Sequence, residues 1–325
     1  MFAMARSLFR LRFLIAVLLL VSCGTTSGAI SSPASDQIRI TEAYRVLLAP
    51  NGTLVIPAGH SNRVLRFDPS TKRVTVIAGT GNAEFQPGPQ PAPLISIGLP
   101  RDAAVEADGS VLIALDSDRV VRVDAKTQRV RVIAGTGEKG YSGDGGPADA
   151  ARLDDPLALA VDPTGNIFIA EAGNRIRRID HLGNITTVAG TGSAGSDGIG
   201  GPAAKARINQ PHGLVASPDG SVYIADTGNN RICKLEPYGT ISIVDAGEVN
   251  TPTGVALAPD GTILVADFMN SRVQRIQGDT ASTLVDSVAG VTGIVAFADG
   301  TLYVSILDSG LVEVKPDGRR TRVGR

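Results

Sequence analysis

A turn glycine recurs six times along this chain, at Gly52, Gly109, Gly165, Gly220, Gly261 and Gly300. Each is preceded by an apolar run and followed by an alternating one, giving six related segments at 45–68, 102–124, 158–180, 213–236, 254–276 and 293–315. A unit of this period cannot bury its own apolar face and must stack on its neighbours. Within a unit the first strand ends at Pro-Asp-Gly or a relative of it, a dipeptide chemistry that suits a tight turn at positive φ. A second strand follows (Ser221-Val222-Tyr223-Ile224-Ala225-Asp226). Then come a polar loop, a third strand opening with arginine (Arg63, Arg119, Arg175, Arg231, Arg272) and a short fourth strand such as Val74-Thr75-Val76-Ile77. Period-2 alternation and β-branched content mark all four as strands. The prediction is an all-β fold, a six-bladed β-propeller over 37–325 with four antiparallel strands per blade.

Composition narrows the function. A formal net charge of −1 argues against nucleic acid as a partner, because phosphate binding needs a positive surface. Aromatics are 4% of the chain and tryptophan is absent, which leaves little for stacking sugars or bases. The 38 glycines suit a chain made mostly of turns and short strands.

The N-terminus reads as an address. Arg6, Arg10 and Arg12 precede the apolar run Phe13–Val21, too short to span a bilayer. Leu20-Val21-Ser22-Cys23-Gly24 resembles a bacterial lipoprotein box. That resemblance implies a signal peptide at 1–22, lipid on Cys23, and a Gly/Ser/Thr-rich tether completing 23–36. The protein is then expected to be extracytoplasmic and held to a membrane by that lipid. Cys233, the other cysteine, lies in an alternating strand pattern and reads as a small buried hydrophobe.

Asn166-Ile167-Phe168-Ile169-Ala170-Glu171-Ala172-Gly173-Asn174-Arg175 and Ser221 through Ile232 resemble NHL repeats. The connector Ala134-Gly135-Thr136-Gly137 through Gly145-Gly146-Pro147-Ala148 is similar to the inter-blade loop of the teneurin-type bacterial subgroup, and it recurs as 189–203. The resemblance runs from about residue 40 to the end and is weakest in blades one and six. Ring closure has two candidates: Arg320-Thr321-Arg322-Val323, or Gln37-Ile38-Arg39-Ile40 pairing there from the N-terminus.

Several residue patterns bear on chemistry. Gly135-x-Gly137-x-x-Gly140 and Gly190-x-Gly192-x-x-Gly195 match a dinucleotide pattern, but no helix follows, so they read as repeat turns. His212 sits where the fourth unit enters its first strand, and Arg101, Leu157, Thr253 and Thr292 hold the matching positions. Amidating lyases resemble this fold and place several histidines at such entries; one imidazole cannot build that metal site. Glu42 could mimic the first metal ligand of gluconolactonase-like propellers, yet the other entries lack the oxygen donors a hard cation prefers. His60 and His181 are expected on opposite faces. The recurring acids and arginines (Glu171 with Arg175, Asp226 with Arg231, Asp267 with Arg272) read as structural. Long connectors at 79–100, 134–156 and 189–211 all join a fourth strand to the next first strand. They are expected to wall the face that carries His212.

The sequence thus points to a non-catalytic scaffold that binds a protein or peptide at that face, at a channel mouth formed by His212, Arg101, Asp102, Thr253 and Thr292. No cofactor, metal or catalytic residue is expected. The alternative is a lactonase- or lyase-type enzyme with its site near His212, Arg101 and Asp102.

Overall fold

The computed structural model describes residues 38–278 and 280–324. The expected signal peptide, Cys23 and the tether lie outside the described residues. Six four-stranded antiparallel sheets follow one another in chain order. Lettering strands A to D outward from the axis, blade three comprises Pro156–Val161, Ile167–Glu171, Arg175–Ile179 and Ile185–Ala189. Blade four comprises Pro211–Ala216, Val222–Asp226, Arg231–Leu235 and Ile241–Val244. Blade one has a short A strand, Leu47–Leu48, ahead of Leu54–Ala58, Arg63–Phe67 and Val74–Ala78. Blades two, five and six open with Pro100–Val105, Pro252–Leu257 and Val291–Ala296. Proline starts four of these A strands, where no ladder N–H is needed. The turn glycines between strands A and B have φ between 79° and 86°, a region that costs glycine little and other residues much.

The inner strands of each sheet are buried on both faces, because every blade packs on two neighbours. Six apolar clusters result, one at each joint. Ala158, Phe168 and Ile176 pack on Leu214, Ile224 and Cys233 between blades three and four. Leu54, Ile56 and Phe67 pack on Val295, Tyr303 and Leu311 between blades one and six. The ring is therefore closed by side-chain packing. Of the two closure candidates, Arg320–Val323 forms strand D of blade six. Ile40 instead crosses the joint, donating its N–H to Gly324 O at 2.9 Å and burying its side chain in the same cluster.

The long connectors do not wall the face of His212. Each leaves strand D, runs along the outer edge of the next blade, and reaches that blade's C–D turn at the other face. Ala92, Ala148 and Ala203 donate their N–H groups to Gln128, Gly183 and Gly239 at 2.8–2.9 Å. Gly145 and Gly146 exchange hydrogen bonds with Ile185, the first residue of strand D in blade three, and Gly200 and Gly201 do the same with Ile241. The connectors thus cover the free edge that an outermost strand otherwise presents. Their alanines drive this course: Ala148, Ala151 and Leu153 are fully buried between blades two and three. The second connector is clamped further. Tyr141 stacks over Arg175 at 3.7 Å, and Asp144 accepts from the fully buried Arg177 at 2.7 Å.

The glycines of the dinucleotide-like pattern make room for arginines, as repeat turns. A Cβ at Gly137 or Gly192 would overlap the guanidinium of Arg119 or Arg175. Those arginines cross the turn to donate to Thr136 O at 2.7 Å and Thr191 O at 3.2 Å.

Candidate functional site

Strand A of blades two to six carries an irregularity after its first residue: Pro211 pairs with Asp226 and Gly213 with Ala225. The extra residue of this bulge is His212, and the same step makes Arg101, Leu157, Thr253 and Thr292 the extra residues of their blades. A bulge re-aims one side chain out of the pleat. It is why this register position forms a ring at the channel mouth.

The ring is not uniform. Thr253 Oγ1 donates to Val291 O at 3.2 Å, and the Thr292 hydroxyl lies 3.1–3.2 Å from Ala43 O, Ser305 O and Ser305 Oγ. Both threonines are thereby spent on joining strands. Arg101 is half-buried, with Nε 3.6 Å from Asp155 Oδ1. The His212 imidazole is largely buried, and its pKa falls to about 4, first by burial and then by the charges of Arg45 and Arg101. It is therefore neutral at pH 7.

One residue deeper, the six blades contribute Arg45, Asp102, Ala158, Gly213, Gly254 and Gly293. Asp102 lies here, 3% exposed, below the mouth where the sequence placed it. The Arg45 guanidinium fills the hub. It donates to Thr253 O at 2.7 Å, to Thr292 O at 3.2 Å and to His212 O. Its Nε lies 4.0 Å from Asp102 Oδ1, while Asp102 Oδ2 accepts from Leu159 N–H at 3.0 Å. Four small residues complete the layer because nothing larger fits. A Cβ on Gly254 would lie 2.7 Å from Arg45 Nη1 and 2.5 Å from Thr292 O. Burial pushes the Asp102 carboxyl up to about 6, against the opposing pull of Arg45, and burial lowers the Arg45 pKa. Sequence reasoning passed over Arg45. Yet the signal was present: one basic, one acidic and four tiny residues share a single register position.

A second group lies on the same face. Tyr44 Oη is 3.2 Å from His60 Nε2, and His60 Nδ1 meets Glu42, a buried carboxylate that also accepts from Ser61 N–H at 2.5 Å. In blades three, four and five an acid ends strand B, and Asp226 and Asp267 accept from Asn209 and Asn250 N–H at 2.7 Å. In blade one, whose strand B ends at Ala58, Glu42 supplies a buried carboxylate from the segment before strand A. Burial and then Glu42 raise the Tyr44 pKa, while Arg101 pulls it down. His181 is in the C–D turn of blade three, on the opposite face, as expected.

The metal reading does not fit. A guanidinium occupies the hub, and the carbonyls of three entries are its acceptors, so the hub donors are already satisfied by a cation of the chain itself. Among the described residues no three His, Cys, Asp or Glu side chains are grouped to hold an ion.

Against known families, the NHL repeat model matches residues 209–235 and 249–276, and the teneurin NHL domain model matches 115–199. The chain carries NHL repeats within a six-bladed propeller. It is 29% identical to mouse teneurin-1 over 194 residues, which cover 52% of the chain and 7% of that protein. To bovine NHL repeat-containing protein 2 it is 31% identical over 173 residues, 49% of the chain and 23% of that protein. The matched stretches therefore span under a tenth of the teneurin and under a quarter of the bovine protein. Solved structures with the same fold include a streptogramin B lyase (TM-score 0.55, 14% identity, covering 89% of this chain and 84% of that one). Another is a gluconolactonase from Xanthomonas campestris (TM-score 0.60, 15% identity, covering 84% of this chain and 86% of that one). At such identities the likeness concerns the fold alone.

Proposed function

We propose that this NHL propeller is a lipid-anchored, extracytoplasmic scaffold that binds a protein or peptide and is not itself a catalyst. The observation that carries the reading is the hub. Its two charged side chains reach the main chain of the surrounding blades, so the point where a propeller gathers its strand ends is occupied by a structural tie. What remains for function is the rims, where loops on a rigid frame commonly bind. The N-terminal pattern ending at Cys23 supports anchoring outside the cytoplasm.

Crosslinking the full-length protein in its native envelope, followed by identification of captured chains, tests the scaffold. A reproducible partner is expected; capture of nothing above a matrix control overturns it. Metabolic labelling with a fatty acid tests the anchor: label on the wild type and none on Cys23→Ser is expected.

A second reading is favoured by the Glu42–His60–Tyr44 chain. A carboxylate orienting an imidazole that accepts from a hydroxyl is the arrangement by which enzymes activate an oxygen. Under it, Tyr44→Phe abolishes turnover of a lactone panel with the melting temperature unchanged. Under the scaffold reading there is no turnover to lose.

A further inference from the structure

The face of the A–B turns, opposite His212, carries a broken repeat. In each blade one residue of strand C lies beside the A–B turn. In blade two it is Arg122, held by three carboxylates: Glu106, Asp108 at 2.7 Å and Asp124 at 3.0 Å. In blade four it is Lys234, 3.0 Å from Glu236 and 3.7 Å from Asp219. The blade-one counterpart is Arg66. Where blade two has Glu106 and Asp108, blade one has Ala49 and Asn51. In blades three to six, Asp162, Asp219, Asp260 and Asp299 keep an acid at one of those two positions; blade one alone has neither. Asp68, the counterpart of Asp124, gives Oδ1 to Ser70 and Thr71 as Asp124 does to Lys126 and Thr127. But whereas Asp124 Oδ2 pairs with Arg122, no ion pair joins Asp68 to Arg66 among the described residues. Arg66 Nε is buried without a hydrogen-bond partner among the described residues, although a guanidinium so placed ordinarily finds one. In blade three Arg178 Nε is also buried without a hydrogen-bond partner among the described residues, but that blade keeps Asp162 at the position of Glu106.

Arg66 lines a cleft of about 460 Å³ between blades one and two, with Ala49, Asn51 and Thr75 beside it and Asp108 across it. Asp108 does not serve Arg66, since its two oxygens are taken by Ser110 N–H and Arg122. Past Ala49 and Pro50 the cleft continues into a trough of about 470 Å³ walled by Leu48, Ala107, Pro259 and Phe297, at the open end of the channel. One cation lacking an anion therefore stands at the end of an apolar groove.

We propose that this cleft binds an acidic side chain of a peptide partner, its carboxylate pairing with Arg66 where blade two supplies its own acids, and the flanking apolar side chains lying in the trough. The proposal rests on the scaffold reading and sets the binding surface on the A–B turn face, not at the mouth near His212. A planar carboxylate matches the guanidinium fork in charge and geometry, which a neutral amide does not.

The test titrates the full chain, labelled at arginine side chains with ¹⁵N, with N-acetyl-Leu-Glu-Leu-amide and N-acetyl-Leu-Gln-Leu-amide. The glutamate peptide is expected to shift the Arg66 Nε resonance and to bind about tenfold more tightly than the glutamine peptide, as one charge-assisted pair allows. Arg66→Gln removes that preference. Asn51→Asp keeps the turn, because Asn51 Oδ1 already accepts from Thr53 as Asp108 does from Ser110. It supplies an internal carboxylate and is expected to weaken the glutamate peptide by a similar factor. Equal binding of the two peptides, a glutamate preference that survives Arg66→Gln, or no binding of either at millimolar concentration overturns the proposal. Any of these leaves the scaffold reading standing if envelope crosslinking still captures a partner.

Discussion

Arg45 Nε lies 4.0 Å from Asp102 Oδ1 at the hub, and through their remaining atoms the two side chains reach the main chain of blades three, four, five and six. With their own blades, one and two, the pair touches the whole ring. Arg45→Met is expected to destabilise the protein by about 3–5 kcal/mol, the usual cost of leaving a buried partner charge uncompensated. Arg45→Met combined with Asp102→Leu should cost less than Arg45→Met alone. Urea unfolding of the three variants measures both, and a double variant worse than the sum of the singles contradicts the pairing.

The glycines around Arg45 are there for space. Gly254→Ala sets a methyl 2.5 Å from Thr292 O and is expected to cost about 2 kcal/mol through overpacking. Gly146→Ala, whose nearest neighbour would be 3.5 Å away, serves as control and should cost far less. Differential scanning calorimetry of the pair checks the contrast.

His212 should impose an acid limit on stability. Its folded pKa of about 4 lies below the ordinary 6.5, so the unfolded chain binds the proton first. Its contribution is complete above pH 6.5 and is lost as the pH falls towards 4. Asp102 works in the other direction: its carboxyl is raised from 3.8 to about 6, so its contribution is complete below pH 3.8 and fades as the pH rises through 6. Denaturant unfolding at pH 7, 5.5 and 4.5 should show a shallower acid loss for His212→Gln than for the wild type. Parallel curves would show that the imidazole is not the group responsible.

The connector clamp can be opened at one atom. Arg177 has no solvent exposure, and Asp144→Ala removes its nearest ion-pair partner, leaving Glu171 at 3.4 Å. A loss of about 2 kcal/mol is expected, as for a buried charged donor left short of a partner. Hydrogen exchange should accelerate in residues 140–156 ahead of the rest of blade three.

Cys233 should be inert. Burial, with Asp226 nearby, pushes its thiol up to about 12, and only the thiolate is reactive. A disulfide reagent is expected to leave it unmodified in the folded chain and to titrate it in urea.

The fold was legible because turn glycines and alternating strands are local signals repeated in register, so six weak readings reinforced one another. The strand A bulges set His212, Arg101, Thr253 and Thr292 at one register position, with Asp102 one residue deeper. Thr253 and Thr292 look free in a sequence and prove to be spent on neighbouring strands. Arg45 was hidden because its meaning appears only when six positions distant in sequence are set in one layer. The connectors misled for a similar reason. Their ends lie on the face of His212, but the buried alanines pull their middles to the other side, and composition alone does not reveal which surface an Ala-Pro stretch will prefer.

Those connectors also make the ring mechanically unequal. The joints from blade one to blade four are each strapped along the outer rim, whereas the shorter links after blades four and five carry no comparable strap. The molecule is a stiff arc of four blades completed by two held mainly through their apolar sides and the Arg45 tie. Under load or heat, breathing should begin in blades five and six, at the joints that no connector straps.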